Sequence, residues 1–192
     1  MPKIKRIDHI AIVVEDIDSA LQFWRDALGL DLDQVVEVPD QKSLVAFLPV
    51  GDGEVELVRP TTGDSGVARY LQKRGPGMHH LCFEVEDIES ALTNLREKSV
   101  RLINETPIAD SKGKKLAFIH PESTNGVLVE LYELDRLESD SHLAHLQDLV
   151  ERVYIESSVM AAATRAFLRA LRLNGDRKRV QGEPVAPNEP AK

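Results

Sequence analysis

Gly77-Met78-His79-His80-Leu81-Cys82-Phe83-Glu84-Val85-Glu86-Asp87-Ile88-Glu89-Ser90-Ala91-Leu92 decides the fold of this chain. It reads as a strand passing into a helix. Moved back by 71 positions, it lies over His9-Ile10-Ala11-Ile12-Val13-Val14-Glu15-Asp16-Ile17-Asp18-Ser19-Ala20-Leu21, where 8 of 13 positions are identical to His80–Leu92. A match of this quality marks two copies of one supersecondary unit. Each copy opens with a histidine at the same place in its first strand. Pseudo-symmetric pairing of the copies brings two related imidazoles to one shared site.

Working outward, the first copy reads as β-α-β-β-β. Ile4, Ile7, Ile10, Ile12 and Val14 mark a strand over 4–14. Asp16 is a good N-cap, and Ile17, Ala20, Leu21, Trp24 and Leu28 recur at helical spacing until Gly29. Strands are predicted over 30–38, 43–50 and 54–58, divided by Pro39-Asp40 and Gly51-Asp52-Gly53. The second copy predicts a strand over 78–85, a helix from Asp87, and strands near 100–103, 115–119 and 127–132.

The fold class is therefore α+β: two tandem βαβββ modules, which the resemblance given below implies form a metal-binding cleft, plus a C-terminal helical extension. The first module covers 4–59, a linker with a short helix over 67–73 covers 60–76, and the second module covers 77–134. Leu143, Leu146, Val150 and Val153 make one helical stripe, so 135–173 is expected to be helical and to pack outside the cleft. Residues 174–192 are polar, contain three prolines and show no apolar period, which predicts a disordered tail.

Composition narrows the function. Hydrophobic residues make up 42% and charged residues 29% of the 192, the balance of a soluble globular protein. No apolar run approaches a membrane span, and none precedes the first strand, so the cytoplasm is the default location. The single cysteine, Cys82, excludes an intrachain disulfide and is expected to be a small buried thiol. A net charge of −8 argues against general nucleic-acid binding.

Alternation along a strand selects the candidate site. Ile10, Ile12 and Val14 lie under the first helix, and His9 takes the other face. Leu81, Phe83 and Val85 lie under the second helix, and His80 takes the other face. His79 is predicted to point away from His80, either in a structural role or supporting a ligand from behind, and not as a ligand itself. The last strand of each copy adds a carboxylate, Glu56 and Glu130, at an offset of 74. A lone histidine in an apolar strand is usually a satisfied core residue. Four polar residues at equivalent places in a duplicated unit form a pattern instead. Two imidazoles and two carboxylates suit a divalent transition metal with room for water or substrate.

This arrangement resembles the vicinal oxygen chelate superfamily over roughly residues 4–133. The resemblance implies one divalent ion (Co2+, Mn2+, Zn2+ or Ni2+) held by His9, Glu56, His80 and Glu130. Asp8-His9-Ile10-Ala11, Gly77-Met78-His79-His80 and Phe118-Ile119-His120-Pro121, leading into Gly126-Val127-Leu128-Val129-Glu130-Leu131, are similar to its methylmalonyl-CoA epimerase branch. That branch implies an acyl-CoA substrate, a homodimer, and removal and return of an α-proton through a metal-stabilised enolate. Glu130 would then be base, or ligand and base together, with Glu56 as the second catalytic group. Lys112, Lys114 and Lys115 would face the nucleotide end of coenzyme A. Two features depart from the branch. Ser43-Leu44-Val45-Ala46-Phe47-Leu48 holds no acid where epimerases carry one, and the C-terminal extension has no counterpart in short epimerases. The alternatives are a glyoxalase I-like lyase with the same ligands and a small-molecule-binding module without catalysis.

Overall fold

A computed structural model describes residues 3–109 and 115–134, together with Leu168. The elements in chain order are β1 (Ile4–Val13), α1 (Ile17–Leu21), β2 (Gln34–Val38), β3 (Ser43–Val50), β4 (Gly53–Pro60), α2 (Gly66–Arg74), β5 (Gly77–Val85), α3 (Ile88–Glu97), β6 (Ile108–Ala109), β7 (Lys115–Ile119) and β8 (Leu128–Glu133). They form one eight-stranded sheet in the order β2-β3-β4-β1-β5-β8-β7-β6.

The duplication is visible in the pairing. β1 runs parallel to β4, and β5 runs parallel to β8. β1 and β5 meet antiparallel at the centre of the sheet and join the two halves. The helix starts repeat as well. Asp16 accepts a hydrogen bond from the Ser19 N–H, and Asp87 accepts one from the Ser90 N–H. Each capping carboxylate satisfies an amide that the first helical turn leaves open.

The two faces of the sheet are packed differently. On one face, α1 buries Ile17 and Leu21 against Ala46, Leu48 and Leu57, and α3 buries Ile88, Ala91 and Leu92 against Ala117, Ile119 and Leu131. On the other face, Ala11, Val13, Val45, Phe47, Phe118 and Leu128 form a single cluster fed by both halves. Val67 and Tyr70 of α2 cover part of it, and so does Leu168, which is helical and 6% exposed. Phe47 and Phe118 are fully buried there. Each contributes about 1.5–3 kcal/mol of apolar burial.

Two expectations change. The helix after Asp16 is regular only to Leu21, and the chain then widens through Gln22–Ala27, where the Leu28 N–H donates to the Phe23 carbonyl. The strand expected at 100–103 shrinks to a single bridge between Leu102 and Ile119. Asn104 explains this, because its side-chain oxygen takes the Phe118 N–H that would continue the ladder. The pairing resumes at Ile108–Ala109 instead. Of the extension expected to pack outside the cleft, only Leu168 is described, and it is buried on the face opposite α1 and α3. The rest of 135–173, and the tail 174–192, lie outside the described residues.

Candidate metal centre

The register across the central seam places the two histidines together. His9 of β1 lies opposite Cys82 of β5, and Ala11 of β1 lies opposite His80. Adding 71 to 9 and 11 gives 80 and 82, so the two pairs exchange under the repeat. Glu56 of β4 lies beside Ala11, and Glu130 of β8 lies beside Cys82. The offsets of 71 and 74 in the sequence thus become equivalent places on the sheet.

His9 Nε2 and His80 Nε2 are 2.8 Å apart, with the rings nearly perpendicular. Glu130 Oε2 lies 3.4 Å from His80 Nε2, and Glu130 is 1% exposed. His9, His80 and Glu130 each offer a donor atom within 4.8 Å of the others. Glu56 takes a different position. Its Oε1 is 3.7 Å from Nδ1 of His9, and it groups with His9 and Glu54. Of the four expected ligands, three converge, and the fourth stands at the far nitrogen of His9.

The donor set fits a divalent transition ion. Two nitrogens on a tetrahedral zinc lie about 3.3 Å apart for bonds of about 2.05 Å, close to the spacing of the two imidazoles. The protonation pattern fits too. Burial pushes His80 well below the usual imidazole range, reinforced by the charges of His9 and His79. Burial also acts to lower His9, but Glu56, Cys82 and Asp8 outweigh it and hold His9 well above that range. The carboxylates of Asp8 and Glu56 beside His9 favour a positive charge at this place, as a bound cation would supply. Cys82 is fully buried, and burial with the nearby Glu130 raises its thiol, so it stays neutral as expected.

Three residues near this centre escaped the strand alternation. Between the pairs Ile7–Phe83 and His9–Cys82, β1 carries one extra residue, Asp8. Between Ala11–His80 and Ile12–Met78, β5 carries one extra residue, His79. An extra residue re-aims its side chain. Asp8 Oδ2 reaches Nδ1 of His9 at 3.1 Å, and His79 Nδ1 reaches Nδ1 of His80 at 3.1 Å. His79 therefore does not point away from His80. Glu54 lies opposite His9, on the face of Glu56. The alternation Glu54-Val55-Glu56 already carried that signal.

The lysines are elsewhere. Lys115 is 3.8 Å from Glu133, whose other oxygen accepts the Ile88 N–H at the start of α3. This is the α3 side of the sheet, away from the histidines. Lys112 and Lys114 lie outside the described residues.

A family model described as the Glyoxalase/Bleomycin resistance protein/Dioxygenase superfamily matches residues 8–118. The chain belongs to this superfamily. Among curated members it is 38% identical to the mitochondrial methylmalonyl-CoA epimerase of Mus musculus over 130 residues, 67% of this chain and 73% of that one. It is 41% identical to the uncharacterized protein YqjC of Bacillus subtilis over 142 residues, 74% of this chain and 99% of that one. A solved Streptomyces coelicolor methylmalonyl-CoA epimerase in complex with 2-nitronate-propionyl-CoA is 31% identical, with a TM-score of 0.59 over 70% of this chain and 97% of that one. The matched stretch 8–118 includes His9, Glu56 and His80.

Proposed function

We propose that the protein interconverts the (R) and (S) forms of methylmalonyl-CoA. The observation that carries this reading is the convergence of His9, His80 and Glu130 in a chain 38% identical to a methylmalonyl-CoA epimerase over 130 residues. A divalent ion held by His9, His80 and Glu130, with Glu56 turned towards it, would supply Lewis-acid stabilisation of an enolate oxygen.

The remaining chemistry falls to side chains. Epimerisation removes a proton α to a thioester carbonyl and returns one to the opposite face. Glu130, buried and 3.4 Å from His80 Nε2, is the candidate base. The same face of β3 carries Ser43, Val45, Phe47 and Pro49 and no acid, and in this reading the second acid–base role falls to Glu56 on β4. Val45, Phe47, Phe118 and Leu128 would exclude water beside the reacting carbon. In this reading an acyl-CoA is the substrate, and Lys115, paired with Glu133 on the α3 side of the sheet, stands away from its reacting end. A homodimer acting in the cytoplasm belongs to the same proposal.

The test is proton–deuterium exchange at the α carbon of methylmalonyl-CoA in D₂O, using metal-loaded protein. A parallel reaction receives the hemithioacetal of glutathione and methylglyoxal. Exchange with conversion between epimers is the expected result. Turnover of the hemithioacetal without exchange would transfer the assignment to a lyase of the glyoxalase I kind.

A further inference from the structure

Asp8 and His79 occupy the same place in the two halves, since 8 plus 71 is 79. Each is the extra residue of a bulge, and each directly precedes a histidine of the candidate centre. They are 2% and 3% exposed. Each stands 3.1 Å from the Nδ1 of the next residue, which leaves the two Nε2 atoms facing one another. We propose that Asp8 and His79 are matched positioning residues that hold Nδ1 of His9 and His80, so that Nε2 of both is presented to a divalent cation. This rests on the metal reading of the site and adds how its two imidazoles are aimed.

The chemistry follows from the imidazole itself. A neutral ring has one N–H and one lone pair, so Nε2 can bind a metal only when the proton is on Nδ1. The Asp8 carboxylate only accepts, which fixes the proton on Nδ1 of His9. His79 achieves the same for His80 when its own Nδ1 accepts and its proton is on Nε2. Glu56, 3.7 Å from the same Nδ1 of His9, is thereby released to turn towards the ion.

Each bulge has its own support. Arg6 forms a 2.6 Å ion pair with Asp8, and Glu84 holds Arg6 at 2.7 Å. The Tyr70 hydroxyl donates to the Met78 carbonyl at 2.7 Å, and its ring packs edge-on against His79. The two supports differ in one respect. A carboxylate strengthens its histidine as a ligand more than a neutral imidazole does. His9 should therefore be the tighter ligand, and loss of Asp8 the more damaging change.

Zinc affinity of the full chain, measured by competition with a chromophoric chelator, tests this. Asp8→Asn is expected to weaken zinc binding by about 10–100-fold. His79→Leu is expected to weaken it less, and His79→Asn, whose amide oxygen can still accept from Nδ1, should recover part of the loss. Nitrogen-15 spectra of the zinc-loaded wild type supply a test that needs no variant. Both His9 and His80 should read as protonated on Nδ1 and metal-bound through Nε2. Coordination through Nδ1 at either histidine, or no zinc uptake, would overturn the proposal. Unchanged affinity in both Asp8→Asn and His79→Leu would do the same. None of these readouts uses an acyl-CoA. Correct spectra with no α-proton exchange would therefore sink the epimerase reading and leave this one standing.

Discussion

Gly53 opens β4 directly against the first bulge. A Cβ placed on it would lie 3.0 Å from the carbonyl oxygens of both Ile7 and Asp8, where ordinary contact begins at 3.4 Å. The deficit is 3.4 minus 3.0, or 0.4 Å, against two backbone atoms inside a paired ladder. A flexible side chain could move aside, but a backbone carbonyl moves only with its strand. Overpacking of this kind costs about 1–3 kcal/mol. At about 2 kcal/mol, Gly53→Ala should lower the melting temperature by roughly 4–8 °C for a chain of this size. Displacing the Asp8 carbonyl also shifts its side chain. The Asp8–His9 bond, at 3.1 Å, is already near the long end of the hydrogen-bond range. Zinc affinity should therefore fall together with stability. Gly63→Ala is the matched control, because a Cβ there meets nothing within 4 Å. That change should be neutral or stabilise by about 0.4–1 kcal/mol through the unfolded chain. The assays are thermal melts by circular dichroism and the chelator competition. If Gly53→Ala melts and binds zinc like Gly63→Ala, the claim that the missing side chain makes room for the bulge is wrong.

Four further outcomes are expected. His9→Ala and His80→Ala should each abolish stoichiometric divalent metal binding while the domain stays folded, and full occupancy by metal analysis in both would refute the shared site. Glu130→Gln should keep part of the metal while α-proton exchange falls by about 10²–10⁴-fold, so near wild-type epimerisation would show that the base is another residue. Ending the chain at Leu134 should retain metal and exchange but raise binding of an apolar dye, because Leu168 no longer contributes to the buried cluster of Ala11, Val13 and Phe47; an unchanged dye signal would contradict this. His120 gives a pH signature: burial and Arg101 depress its pKa, and its Nδ1 accepts the Glu122 N–H. The folded state thus favours the neutral ring, so stability is present above about pH 6.5 and is lost as the pH falls below it. His120→Asn keeps an acceptor and cannot titrate, so its melting temperature should drop less than that of the wild type between pH 7 and pH 5, and parallel curves would count against the argument.

The repeat made most of the sheet readable. His9, His80, Glu56 and Glu130 could be assigned to faces because alternation counts one residue per step, and it holds where the strands are regular. Asp8 and His79 could not, because a bulge breaks that count without any change in local composition. Their best signal was indirect, since each stands immediately before a repeated histidine at the same offset. The strand expected at 100–103 failed for a related reason. Val100, Leu102 and Ile103 have strand character, but the Asn104 side chain takes the next backbone donor. Glu56 had the right place on β4, while its approach to Nδ1 of His9, on the far side of that ring from His80, is a side-chain rotation that strand alternation does not encode. Leu168 could be read as helical from the sequence, but its burial in the cluster that holds Val13 and Phe47 joins parts of the chain far apart in sequence.

The antiparallel join of β1 to β5 makes the protein its own dimer. The same patch appears on both sides of the seam, as in an isologous two-fold interface, but one covalent chain supplies both sides. Neither half alone owns more than one imidazole of the centre, and an isolated first half would present β1 as an open edge ready to pair with any strand it met. The tether between β4 and β5 holds the right partner at an effective concentration in the millimolar range. Cutting it at Gly63 would turn an intramolecular fold into a bimolecular reaction. Bound zinc would then count the reassembled pairs, and dilution would empty the centre without any change to its residues.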